Sequence, residues 1–458
     1  MSTTMGAGRR GALLRPGEEG YDAARTIWSA AWDRRPAIIA RVAGAADVVS
    51  ALGLGRRNDL EVAVRSGGHS IPGHSVCEGG LMIDLSGLTH IAVDPVARTA
   101  RVGAGVLWGG LDAATQEHGL AVTGGEVSHT GVAGLTLGGG IGLLKRRFGL
   151  TCDNLLAAEI VTVGGEVLRV DDGTDPELMW GLRGGGGNFG VVTELTLRLH
   201  PVGPLIPAAT TIHAIDDAPA ALAEMAALCA EAPDELSVWA VMVTAPPMPL
   251  VPPSMVGRPV LVLNGAWIGD GDARRGLEPV LGIGRPAASG VDDVPYVVMQ
   301  SIADAFAPYG RANQARSEWL GGIGTATAGA LAAAAAAMTS PWGQLVLHQM
   351  GGAVARVPAG ATAFARRDAA LMFLVNAAWQ PGDPRADDHR AWVRRCWEAV
   401  GADSTGGAYV NHLADEGEGR VRAAYGEATY ARLAALKARM DPENVLRRNQ
   451  NVVPAATR

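Results

Sequence analysis

Between residues 61 and 125 the chain alternates short β-rich runs, EVAVRSGG, LMIDLS and RTARVGAG, with glycine-bearing turns. Apolar positions from about Val106 to His118 then recur at helical spacing and stop at Gly119, which predicts an amphipathic helix ended by glycine. Residues 155–170, LLAAEIVTVGGEVLRV, set valine-rich runs on either side of Gly164 and Gly165 and predict a hairpin. A closing strand is expected at 190–200. The pattern is α+β. It has neither the regular strand–helix alternation nor the GxGxxG at a first strand–helix turn that a Rossmann dinucleotide fold needs.

After PVGP at 201–204 the character changes. Strand-like runs SVWAVMVTA, RPVLVLNGAW, GQLVLHQMGGA and LMFLVNAAW are separated by alanine-rich helical stretches, which predicts one antiparallel sheet covered by helices. APPMPLVPPSMVG, residues 245–257, is too rich in proline for a central strand and reads as a hairpin loop. From about Glu416 the pattern predicts one long helix through RVRAAYGEATYARLAALKARM, followed by a return through DPENVL. With 458 residues the chain exceeds one ordinary core, so two domains are expected: residues 1–203, an inserted unit at 204–413, and a returning segment at 414–458.

Charge narrows the function. A formal net charge of −7 and the lack of a long like-charge run give no footprint for nucleic acid. Lysine occurs only at Lys145 and Lys437, which gives little support to Schiff-base chemistry. The twin arginine Arg9–Arg10 is not followed by an apolar h-region, so the expected location is the cytoplasm. The alanine-rich stretch 327–338 is too short for a membrane span, which needs roughly twenty residues. Cys77, Cys152, Cys229 and Cys396 lack CxxC spacing, which argues for reduced thiols and against a metal site or a disulfide framework.

The chemistry concentrates in glycine-rich segments. In RSGGHSIPGH, residues 65–74, Gly67, Gly68 and Gly73 remove Cβ atoms and let successive backbone N–H groups converge on a bulky anion. GVAGLTLGGGIG supplies a second such stretch. These two, with GGLMIDLS at 79–86, WGLRGGGGNFGVVTELTLRLHP at 180–201 and DPENVLRRNQNVVP at 441–454, resemble in kind and order the vanillyl alcohol oxidase and berberine bridge enzyme superfamily. The resemblance implies a PCMH-type FAD-binding fold with an inserted substrate domain.

It also implies roles, residue by residue. His69 would bond the 8α-methyl of the flavin, its plainer reading being a turn histidine. Some relatives add a cysteine tether four residues before the glycine of GVAG; that position is Val127, so a single bond is expected, and Cys77 lies where the family has no tether. Arg65, Ser66, Gly67, Gly68, Ser70, Gly73 and His74 would form the cofactor loop. Gly125, Gly131, Gly134, Gly138, Gly139, Gly140 and Gly142 would allow close approach to pyrophosphate and ring. Thr130 would face the reactive centre and regulate oxygen access, or be an ordinary turn threonine; Leu135 would share its wall. Asn188, Gly190 and Val191 would approach the adenosine half. Asp153 and Asn154 match the family's DN pair, with a structural role alone as the alternative.

YVNH, residues 409–412, resembles the family's YxNY element beside the flavin ring, with a histidine where many relatives carry the tyrosine base. His412 is the candidate base, able to work with a pKa nearer neutrality than a phenol's, or else a hydrogen-bonding neighbour of the ring. Tyr409 is the reserve base. Asn411 and Gln450 would contact the flavin, and His129 would cap its turn. In the inserted sheet Trp239 and Val241 share one face and Ala240 and Met242 the other, so one pair at most lines the site, and His348 is a candidate for the same pocket. The implied activity passes hydride from a hydroxyl- or amine-bearing secondary metabolite to covalent FAD and then to dioxygen. A dehydrogenase, an oxygen-inserting enzyme, and a flavin-carrying binding protein without a base are the alternatives. Nothing in the chain specifies an oligomeric state.

Overall fold

The structure, a computed structural model, describes residues 11–456; the Arg9–Arg10 pair lies outside them. Three sheets organise it. The first has four strands in the order Ala12–Leu14, Ile38–Arg41, Leu81–Asp84, Val62–Arg65, and its last two pairings are parallel. Parallel strands are covered on both faces, and all four residues of Leu81–Asp84 are buried accordingly. The second sheet is antiparallel, in the order Ile91–Asp94, Thr99–Gly103, Val191–Arg198, Leu155–Val161, Val167–Asp171. Its last two strands form the expected hairpin, turning through Gly165 at φ 91°. The amphipathic helix spans Trp108–Gln116 and ends ahead of Gly119, which takes φ 64°.

The third sheet has seven antiparallel strands, ordered Ala288–Pro295, Leu205–Ala214, Pro259–Trp267, Leu236–Thr244, Gln344–Gln349, Leu371–Trp379, Ala312–Leu320. Residues 245–258 connect two paired strands as a loop. Helices Ala218–Glu231, Ala273–Leu281, Thr325–Ala336 and Ala386–Glu398 contribute Leu222, Leu277, Leu331 and Trp392 to a core that also holds Ala240 and Met242. Trp239 and Val241 point to the opposite face, toward Leu143 and Leu144 of the first unit.

The C-terminal segment rejoins the core of the first two sheets through Tyr430, Leu433, Leu446 and Val452. The expected single helix is two, Glu418–Tyr425 and Glu427–Met440. Gly426 breaks it: at φ 74°, ψ 151° it sits in a region essentially reserved for glycine. Beyond the break Lys437, fully buried, donates to Asp441 Oδ2 (2.6 Å), Asn188 O (2.9 Å) and Leu446 O (3.0 Å), which locks the DPENVL turn to the glycine loop.

Candidate active site

The cofactor loop leaves the parallel sheet at Arg65. None of the backbone N–H groups from Gly67 to Ile71 has an acceptor among the described residues. With Gly68 at φ 73° these donors form a concave run suited to an anion. The glycines are also packing requirements. A Cβ on Gly67 would collide with the Gly131 backbone, and one on Gly73 with the Trp32 indole. Arg65 turns away, donating to Ala24 O, and Ser66 Oγ donates to Ala104 O (2.6 Å). Both side chains anchor the loop to its neighbours, and Arg65 Nε is left without a partner. Ser70 Oγ accepts from the His74 N–H at 3.1 Å and rounds the turn; burial, with Arg448 and Arg34, takes the His74 imidazole down to about 4.

The second glycine loop is held by YVNH. The Tyr409 hydroxyl, itself buried, accepts from Gly140 N (2.8 Å), Ile141 N (3.3 Å) and Asn411 Nδ2 (2.8 Å). Asn411 Nδ2 also donates to Leu135 O (3.0 Å), and Gly138 lies against the Asn411 amide with no room for a Cβ. Gly139 and Gly140 take φ 128° and 85°. Gly142 packs on the Gly124 backbone, and a Cβ on Gly125 would stand 2.7 Å from Leu135 Cδ1. Above Gly134 nothing lies within 4 Å of a notional Cβ, an open approach to the loop. Thr130 is fixed by its backbone, to Val127 O (3.1 Å) and from Trp108 N (3.0 Å).

His69 is boxed by aromatic rings. Trp28 stacks on it (centroids 5.0 Å, 18° between planes), Tyr309 meets it edge-on at 5.7 Å, and His129 Nδ1 lies 2.7 Å from His69 Nε2. Burial, then His129, pulls the His69 pKa down to about 3, so the ring is neutral.

His412 is half-buried, its ring 4.8 Å from that of Tyr409, and its Nδ1 has no hydrogen-bond partner. Burial takes it to about 4, further from neutrality than the sequence suggests. The Tyr409 phenol is pushed up to about 12, chiefly by burial, and its oxygen already serves three donors. In the folded chain it brackets the glycine loop. On the sheet His348, in register with Trp239, also has an unpartnered Nδ1, and its pKa is depressed by burial and by the charges of Lys145 and His412. Lys145 is 1 % exposed, its pKa lowered to about 8 by burial with Glu126 opposing. Trp239 is 4 % exposed and packs with Leu143, Leu144 and Tyr296. It packs as part of that apolar cluster. Half-buried Val241 bridges two apolar clusters.

Residues 36–171 match the family profile described as FAD binding domain, and residues 408–453 the one described as Berberine and berberine like. Over 457 residues, 97% of each chain, the protein is 30% identical to (R)-6-hydroxynicotine oxidase of Paenarthrobacter nicotinovorans. The chain belongs to the berberine-bridge-like family of FAD-linked oxidases. It superimposes on the crystal structure of 6-hydroxy-D-nicotine oxidase from Arthrobacter nicotinovorans with a TM-score of 0.87 at 28% identity, covering 97% of this chain and 98% of that one. Chitooligosaccharide oxidase shares the fold, at a TM-score of 0.86, 22% identity, and 97% and 98% coverage.

This berberine-bridge-like protein is an FAD-dependent oxidoreductase, and its residues fit the cofactor: a run of unpaired backbone donors at 67–71, glycines where backbones must pass, and buried imidazole nitrogens of His412 and His348 without a partner. The loop at 187–191 fits less directly. Asn188 is fully buried and its amide is spent, donating to Gly185 O (2.8 Å) and Gln450 O (3.2 Å) and accepting from Val452 N (3.0 Å), so its side chain ties the C-terminal segment down. Gln450 Nε2 donates to Leu413 O (2.9 Å), a brace for the turn after His412. Gly190 admits Ile160 and the Val161 backbone, and Val191 opens its strand. Asp153 pairs with buried Arg367 (2.6 Å), and Asn154 with His200 (2.7 Å); both are structural. Sequence reasoning did not single out Trp28, Tyr309 and Asp304, which join His129 around His69. They come from distant segments, and no local spacing points to them.

Proposed function

We propose that this enzyme is an oxidase of a hydroxyl- or amine-bearing small molecule, of the kind met in secondary metabolism, with FAD bonded to His69 and dioxygen as electron acceptor. The observation that carries this reading is the pair of buried, unpartnered imidazole nitrogens, His412 Nδ1 and His348 Nδ1, on rings close enough to influence each other's charge. Unsatisfied buried acceptors are costly, so they point to a ligand that donates. FAD, when bound, supplies the two-electron acceptor. His412, neutral at physiological pH, accepts the substrate's O–H or N–H hydrogen and takes that proton as the carbon is oxidised. Tyr409 and Asn411 hold the glycine loop in place. In this reading Thr130 regulates oxygen access and Leu135 shares its wall. The reading divides the chain into a cofactor unit (1–203), a substrate unit (204–413) and a returning segment (414–458). A reducing compartment such as the cytoplasm agrees with four unpaired cysteines.

The test is anaerobic reduction of the purified protein followed by mixing with air-saturated buffer. Rapid return of flavin absorbance with hydrogen peroxide is the expected result. Sluggish return would make it a dehydrogenase, and return to an altered oxidised spectrum an oxygen-inserting enzyme. For the base, His412→Ala should lose turnover by at least ~10²-fold with an unchanged flavin spectrum.

A further inference from the structure

The two lysines of the chain are held in opposite ways. Lys437 gives its ammonium to Asp441 and to two carbonyls, whereas Lys145, 1 % exposed, makes no hydrogen bond and no ion pair among the described residues. An ammonium withdrawn from water with no acceptor is costly, so it points to a ligand that brings one. Rigid neighbours set its place. The Arg146 guanidinium bonds Leu236 O (2.8 Å) and Met350 O, which seats the short helix Lys145–Phe148 against the strands that carry Trp239 and His348 in register. Gly142 packs on the Gly124 backbone and so brings the Glu126 turn alongside. The Tyr409 hydroxyl, accepting from Gly140 N (2.8 Å) and Ile141 N (3.3 Å), ties YVNH to the start of the same segment. Four separate parts of the chain thus gather Lys145, Glu126, His348 and His412.

The charges of this cluster are unequal. Burial raises the Glu126 carboxyl against the pull of Lys145, and it lowers Lys145 to about 8, so the lysine is still cationic near neutral pH. His348 and His412 are kept neutral, chiefly by burial, and Arg146 has turned its guanidinium onto carbonyls. Building on the oxidase reading above, we propose that Lys145 is the specificity-determining residue of the substrate site, and that the substrate is an alcohol carrying a carboxylate that accepts from Lys145 Nζ. A protonated amine would meet this ammonium as a like charge, and a phosphate would ask for more donors than one lysine offers. Glu126, near enough to influence Lys145 but not paired with it, offsets its charge in the free enzyme and leaves the ammonium hydrogens to the substrate.

The preference is measured on the holoenzyme near neutral pH with two matched pairs of probes, benzoate against benzamide and hexanoate against hexanamide. Titration is followed by flavin absorbance and, independently of the flavin, by the shift in thermal midpoint that a bound ligand confers. The wild type should bind at least one carboxylate roughly tenfold or more tighter than its amide, the size of one charge-assisted hydrogen bond. Lys145→Met should erase that preference and leave amide binding close to wild type. Lys145→Gln, a neutral donor, should do the same, and it decides the question if Lys145→Met does not fold. A wild type without preference in either pair, or a folded variant that keeps it, would overturn the proposal. Because the readout is a binding equilibrium, it is separable from the oxidase reading: a preference lost in the variants, together with sluggish reoxidation of the wild type, would overturn that reading and leave the carboxylate site standing.

Discussion

At the scale of single residues, the two polar rings of YVNH do different work, and the difference comes from what reaches them. Tyr409 receives donors from a loop 269 residues earlier, and His412 receives none on Nδ1. Tyr409→Phe should therefore destabilise the protein by about 1–3 kcal/mol, by leaving the Gly140 and Ile141 N–H groups without an acceptor. Turnover should stay within about tenfold of wild type, where loss of a true base costs ~10²–10⁴-fold. Urea unfolding and steady-state rates check both, and a larger rate loss with little destabilisation would return Tyr409 to the role of base. The motif was legible in the chain, as was its departure from the family. The division of labour was not, because it depends on which residues the fold carries to each ring.

At the scale of elements, the strands that sequence pattern recovered in the third sheet are its central, apolar ones. Of those it missed, Ala288–Pro295 and Ala312–Leu320 are the two edges. ASGVDDVP carries glycine, proline and two aspartates, which a strand bonded on one side tolerates and which also discourage edge-to-edge pairing. ANQARSEWL is polar for the same reason. Leu205–Ala214, next to an edge, hides behind its own proline and the proline-rich boundary before it. Gly426 was readable as a glycine but not as a break, since nothing local says which conformation tertiary packing imposes. Gly426→Ala meets no atom within 4 Å, so its cost is backbone strain alone, about 1–3 kcal/mol. A urea midpoint unchanged from wild type would mean the two helices can fuse.

At the scale of the whole molecule, the units are joined by buried polar groups as well as by apolar ones. Arg146, 4 % exposed, gives its guanidinium to the carbonyls of Leu236 (2.8 Å), Ala232 (2.8 Å), Pro233 (3.1 Å) and Met350, all in the sheet unit. Three half-buried imidazoles add a pH dependence: His74, His200 and His412 are lowered to about 4, in each case first by burial. Each is neutral when folded and takes a proton near its ordinary value of about 6.5 when unfolded. The unfolded chain thus binds more protons in that interval, and the stability these groups confer is full above about pH 6.5 and is lost as pH falls toward about 4. The thermal midpoint should drop steadily between those values. A midpoint that stays level down to pH 4.5 would show that the imidazoles are hydrated in the folded state.

The only two lysines of the chain, Lys145 and Lys437, are 1 % and 0 % exposed. Every other cationic side chain on the surface is therefore arginine or histidine. To an acylating reagent the folded molecule therefore offers no exposed lysine. Slow modification of Lys145 and Lys437 would time the opening of the interior.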